Sequence, residues 1–275
     1  MVQIEELIKS IILGIVEGVT EFLPISSTGH LIAASALLNF QGATGGTFEI
    51  FIQLGAVIAV VLYYRARLFG QARRVITDRG IQHFWLALVL ATLPAAVIGF
   101  ITRDFIKDVL FSPNVVAVSL IVGGIVLIVI ETRRTTPAPI DEPADAVEKI
   151  TYGQAFFVGC VQVIALIPGV SRSAASIIGG MFTGLSRRTA TEFSFFLAIP
   201  TLGGATMADF IFSLDEITAD QLIYYFTGLV VAGLVAWGSI AWLLRYVQRH
   251  SFTAFGVYRI IAGGVLLVLS VTKIL

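Results

Sequence analysis

An apolar stretch at residues 8–38 is cut near its middle by "EGVTEFLPISSTGH" (17–30), and a second, at 153–184, is cut by "PGVSRSAAS" (168–176). A helix needs about 20 apolar residues to cross a bilayer. Each half of these stretches has only about 12–15, too few to cross alone. Non-helical backbone at membrane depth is tolerated only where protein or a watery cavity satisfies its polar groups. The two interruptions therefore predict re-entrant helix–loop–helix hairpins around an internal polar cavity, within an all-α polytopic membrane protein.

Composition agrees with that class. Of 275 residues, 13% are charged and 57% hydrophobic, against about 25% charged in a soluble domain. The same ruler marks six full spans, at 48–64, 83–101, 114–131, 190–212, 221–244 and 255–272. Formal charge is zero and sits in loops, and no polybasic patch is interleaved with aromatics, so no nucleic-acid partner is expected. The single cysteine, Cys160, admits no intramolecular disulfide and lies in an apolar run, where it reads as a small hydrophobe. The opening "MVQIEELIKS" carries acids where a signal peptide is basic, so no cleaved leader is expected.

Residues 132–150, rich in proline and charge, form a linker between segments that resemble each other. "GIVEGVTEFLPIS" (14–26) aligns with "GCVQVIALIPGVS" (159–171), and "TFEIFIQLGAV" (47–57) with "ATEFSFFLAIP" (190–200), at offsets of 143–145. The reading is one membrane domain over 1–275, made of a first repeat (1–131), a cytoplasmic linker (132–150) and a second repeat (151–275). Each repeat would hold one hairpin and three spans. An odd number inverts the second copy, and inverted repeats bring both hairpin tips together near the midplane.

Orientation follows the basic residues. The face formed by 65–82, 132–150, 185–189 and 245–254 carries twelve, and the opposite face four: Lys9, Arg103, Lys107 and Lys273. The basic face is expected in the cytoplasm. Both termini and the mouth of the first hairpin are then expected outside.

The tips carry the chemistry. Glu17 and Glu21 are spaced i, i+4 and share a helix face. Two carboxylates that close repel unless one is protonated or a cation lies between them. After Pro24 come Ser26, Ser27, Thr28 and His30, which offer hydroxyls and an imidazole. Backbone N–H groups at that helix start also favour anions. In the second tip, Arg172 has a rigid fork of donors suited to phosphate. Ser171, Ser173 and Ser176 surround it. A packing role stays open for each residue, although ionisable groups inside a membrane are functional by default. Glu49 and Glu192, near the starts of apolar spans, are weaker candidates, and Glu49 is kept as a secondary one. Nucleophilic hydroxyls, a base and an arginine clamp suit phosphoryl transfer.

On "EGVTEFLPISSTGH", "TFEIFIQLGA", "PGVSRSAAS" and "EFSFFLAIP" the chain resembles the bacterial undecaprenyl-diphosphate phosphatases, or bacitracin-resistance proteins, over essentially its whole length. The third motif usually ends in Thr in that family, where this chain has Ser176. The resemblance implies hydrolysis of undecaprenyl diphosphate to the monophosphate that carries cell-wall precursors. It also implies a bacterial plasma-membrane location and dependence on a divalent metal. Glu17, Glu21, Ser27, His30 and Arg172 then fall on catalytic or substrate-binding positions, with Ser26, Thr28, Ser171, Ser173 and Ser176 around them. A cation, Mg²⁺ or Ca²⁺, would bridge Glu17 and Glu21 to the phosphates. Ser27 is the expected nucleophile, with His30 as its base or the leaving-group acid; attack by His30, or by water with Glu21 as base, stays open. The expected partners are a polyprenyl diphosphate lipid and bilayer lipids, with oligomeric state, a homodimer included, left open. A lipid-phosphate transporter or flippase is the competing reading, because its fold signature is the same.

Overall fold

The computed structural model describes residues 3–42, 47–133, 143, 145–213 and 217–272, without the side chains of 107 and 108. Helices α1 (Ile4–Thr20) and α2 (Ser27–Leu38) form the first broken pair. Next come α3 (Thr47–Tyr63), α4 (Arg65–Arg74), α5 (Arg79–Ile101), the short α6 (Arg103–Phe105) and α7 (Pro113–Arg133). The second broken pair, α8 (Tyr152–Gln162) and α9 (Arg172–Phe182), is joined through a 3₁₀ turn, Val163–Leu166. Finally α10 (Arg187–Phe212), α11 (Leu222–Tyr246) and α12 (Thr253–Val271) follow. The described residues contain no strand.

Among the described residues five helices, α5, α7, α10, α11 and α12, are long and apolar enough to cross a membrane, and α3 with α4 makes a sixth only if that pair, bent by 70°, counts as one span. The bend corrects one expectation. Residues 65–82, read as a loop, contain α4. The span expected at 48–64 is a 17-residue helix, about 26 Å long against a hydrocarbon core of about 30 Å. The chain is a polytopic helical membrane protein, and its rim fits that environment: Phe100 and Leu234 are 85% and 67% exposed. Most of the expected linker (134–142 and 144), together with Arg134 and Lys273, lies outside the described residues; the described end holds a 3₁₀ turn, Ala146–Lys149.

Helix neighbours follow a pattern. The first pair packs through α1 on α11, and α11 packs on α3; the second packs through α8 on α5, and α5 packs on α10. Helices α3 and α10 meet each other, as do α7 and α12. Exchanging α1, α2 and α3 for α8, α9 and α10, and α5 and α7 for α11 and α12, maps these packings onto one another. Glycine makes the close approaches. A Cβ on Gly14 would sit 2.7 Å from the Gly228 carbonyl, and one on Gly159, its aligned residue, would collide with the Ala91 carbonyl. Small residues that let backbones approach are the usual basis of helix association in lipid.

At one end of the bundle, Arg187 at the start of α10 makes a bidentate ion pair with buried Glu131 near the end of α7. Glu131 also accepts from the Phe252 N–H before α12, at 3.1 Å. Three helix ends are tied by one carboxylate.

Candidate active site

The first helix stops where its sequence stops being able to continue. Glu21 caps α1, residues 21–25 form a turn, and Pro24 supplies no N–H. Ser26 then adopts φ 70°, and α2 starts at Ser27. The second pair repeats the construction: Ser171 adopts φ 77°, accepts from the Ala174 N–H, and α9 starts at Arg172. Positive φ at a residue with a side chain costs about 1–3 kcal/mol and persists where surroundings enforce it. Ser26 and Ser171 are aligned at the 145-residue offset, so the strained backbone occurs at the same place in both tips.

The tips face each other across a polar cavity of about 170 Å³ lined by Glu21, Ser26, Ser27, Thr28, Ser171 and Arg172, with Gln53, Gly169 and Leu202 among its other walls. Glu21 is the hub. One carboxylate oxygen accepts from Ser27 Oγ at 2.6 Å, and the other accepts from Arg172 Nη2 at 2.9 Å. The guanidinium also donates through Nη1 to the Ser194 carbonyl at 2.8 Å, and it lies 5.7 Å from the Phe22 ring centre. Ser176 Oγ donates to Ser194 Oγ at 2.7 Å, so the hydroxyl at 176 buttresses the arginine's support. Ser173 Oγ donates to the Leu23 carbonyl at 2.9 Å, linking the two tips directly.

Other predicted residues do not line the cavity. Glu17 is fully buried, and among the described residues neither of its carboxylate oxygens has a hydrogen-bond partner. His30 does not line the cavity. Its Nδ1 faces the Ser26 carbonyl and its Nε2 the Tyr258 hydroxyl, both at 2.7 Å, with the rings stacked. Glu49 accepts from Ser35 Oγ at 2.6 Å, also away from the cavity. No group of three or more His, Cys, Asp or Glu side chains converges among the described residues.

Three contributors escaped the sequence. Gln53 and Ser194 sit inside the quoted motifs "TFEIFIQLGA" and "EFSFFLAIP", where an uncharged polar residue deeper in an apolar helix than Glu49 or Glu192 was the available signal. Tyr258 carries no such signal, because its hydroxyl matters only through His30.

Two strained helix starts, a serine bonded to a carboxylate and an arginine sharing that carboxylate can bind an anion and activate a hydroxyl. The model of the bacitracin resistance protein BacA family matches residues 10–265. A protein of Deinococcus radiodurans named undecaprenyl-diphosphatase is 48% identical over 263 residues, 94% of each chain. One of that name from Acinetobacter baumannii is 44% identical over 264 residues, 96% of this chain and 95% of its own. One from Janthinobacterium is 48% identical over 256 residues, covering 93% and 92%. With the match running nearly end to end, the chain belongs to the bacitracin resistance protein BacA family.

Proposed function

We propose that this protein hydrolyses undecaprenyl diphosphate to undecaprenyl phosphate and inorganic phosphate, recycling the lipid carrier of cell-wall synthesis and conferring bacitracin resistance. The observation that carries the reading is Glu21, bonded at once to the Ser27 hydroxyl and to Arg172. A serine hydroxyl is a weak nucleophile until an adjacent base takes its proton, and a phosphoryl group needs fixed positive charge around its oxygens.

In the proposed sequence, the diphosphate enters the cavity, with the lipid tail in the bilayer. Its oxygens draw Arg172 and the N–H groups at the starts of α2 and α9. Ser27 Oγ attacks the terminal phosphorus as its proton passes to Glu21; the bond to the bridging oxygen breaks, and undecaprenyl phosphate leaves. Water then attacks the phosphoserine, passing its proton to the departing phosphate, while Glu21 returns the first proton to Ser27 Oγ. Atoms and protons balance to one water consumed per phosphate released. In this scheme Glu21 takes the role expected of His30, whose two ring nitrogens are engaged by Ser26 and Tyr258. His30 instead holds the Ser26 carbonyl at the turn that presents Ser27.

The donor set also fits a divalent cation, Mg²⁺ or Ca²⁺. The unpartnered carboxylate of Glu17 is the supporting feature, and Glu17 and Glu21 are the residues that would hold the ion. Such an ion prefers oxygen ligands and would offset the charge of the diphosphate.

The aligned tips and exchangeable helix packings support an inverted-repeat architecture, with repeats at 1–131 and 151–275, two re-entrant hairpins and six spans counting α3 with α4. The same symmetry favours the transporter reading, so the test must be compartment-free. Purified protein in detergent should release phosphate from undecaprenyl diphosphate, and chelator should reduce the rate. Binding of the lipid without phosphate release would leave only carriage.

A further inference from the structure

One buried ionisable group has no part in the scheme above. Arg259 lies in the middle of α12 and has no exposed surface. Among the described residues no carboxylate pairs with it. The partners of its guanidinium among those residues are main-chain carbonyls: Pro24 at 3.2 Å, Gly169 at 3.0 Å, Val170 at 2.9 Å, Ser119 at 3.3 Å and Leu120 at 3.4 Å. Gly123 leaves the room it needs, since a Cβ there would strike Nη2.

The partners matter more than their number. Pro24 belongs to the first tip, Gly169 and Val170 to the second, and Ser119 and Leu120 to α7. Pro24 and Gly169 are aligned residues at the 145-residue offset, so one side chain grips the same point of both tips. A buried charge is expensive, and a carboxylate would satisfy it better if helix packing were all that was required. A planar fork of five donors can instead hold several carbonyls in fixed relative positions. In a trans peptide the C=O and N–H point in opposite directions. Drawing the Val170 carbonyl to Arg259 therefore turns the Ser171 N–H the other way, on the residue that lines the cavity.

We infer that Arg259 is a positioning residue that locks the two hairpin tips together, so that Ser27 from one and Arg172 from the other meet on Glu21. The inference deepens the phosphatase reading and rests on it. The neighbouring Tyr258 works in the same direction through His30.

The test compares purified wild type with Arg259→Lys and Arg259→Met. Lysine keeps the charge but has three donors on a point-like head. Loosening reacting groups by about 1 Å costs on the order of 100-fold in rate. For Arg259→Lys, kcat should fall about 10-fold or more, with KM within about 3-fold and melting temperature nearly unchanged. Arg259→Met should lose more; should it fail to fold, the lysine variant alone decides. Amide exchange should accelerate in peptides covering 22–30 and 166–174 and stay as in wild type across α5. Full activity with unchanged exchange would overturn the inference. So would a rise in KM alone, or faster exchange throughout the molecule. If wild type releases no phosphate, the phosphatase reading fails, while the exchange comparison still decides whether Arg259 locks the tips.

Discussion

At the residue scale, the proposed function depends on one carboxylate serving two partners. Glu21 keeps Ser27 polarised and Arg172 extended, and replacing it removes both effects. Glu21→Gln should lower kcat by about 100- to 10,000-fold, the usual worth of a general base, with less change in KM. A steady-state comparison on the lipid diphosphate checks this; kcat within a few-fold of wild type would remove Glu21 as the base. Ser194→Ala should be milder, because Arg172 keeps the Ser194 carbonyl, and a KM rise of a few-fold is expected in the same assay. These residues were unequally legible. Glu21, Ser27 and Arg172 stood out because polar groups at membrane depth are costly. Ser194 acts largely through its carbonyl, which no side-chain code records. His30 was legible as polar, but whether it faced Ser27 or Tyr258 depended on α12, more than 220 residues away.

At the element scale, the hydropathy ruler found the long helices and erred where chemistry other than hydropathy sets their ends. The span read at 190–212 begins at Arg187, capped by Ser186, whose hydroxyl accepts from the Thr189 N–H. Two arginines in its first turn hid that start. The helix α4 was missed because "RARLFGQARR" is too charged for a span, although it is a sound helix former. The ion pair at that end of the bundle carries its own expectation. Arg187→Met would strand a buried Glu131 and should cost about 3–5 kcal/mol, read as a lower unfolding midpoint in detergent. An unchanged midpoint would mean that the Phe252 N–H suffices. At the glycine contact of α8 with α5, Gly159→Leu should prevent close packing and lower the yield of folded protein, whereas Gly153→Ala, with open space around it, should not.

At the scale of the whole molecule, the proposed duplication was read from motif-bearing segments that recur at a nearly constant offset. Its inversion rested on counting spans. That count is weakest at α3, where the 70° bend makes the crossing ambiguous by length alone. Sidedness rests on the distribution of arginine and lysine. In a background lacking the exposed Cys160, a cysteine at Gln41 should react with an impermeant thiol reagent in intact cells, and one at Arg249 only after lysis. The reverse pattern would invert the assignment and move the active-site mouth to the cytoplasm. Four helices, α2, α3, α9 and α10, line the cavity from chain segments far apart in sequence, and only tertiary packing could reveal that convergence.

The most direct measurement is rapid quenching of purified protein with undecaprenyl diphosphate labelled in the terminal phosphate, followed by mapping of the modified peptide. The label should appear transiently on Ser27, decay as free phosphate accumulates, and vanish with turnover in Ser27→Ala. Turnover of Ser27→Ala within a few-fold of wild type, or label on His30 instead, would contradict the serine–carboxylate–arginine site.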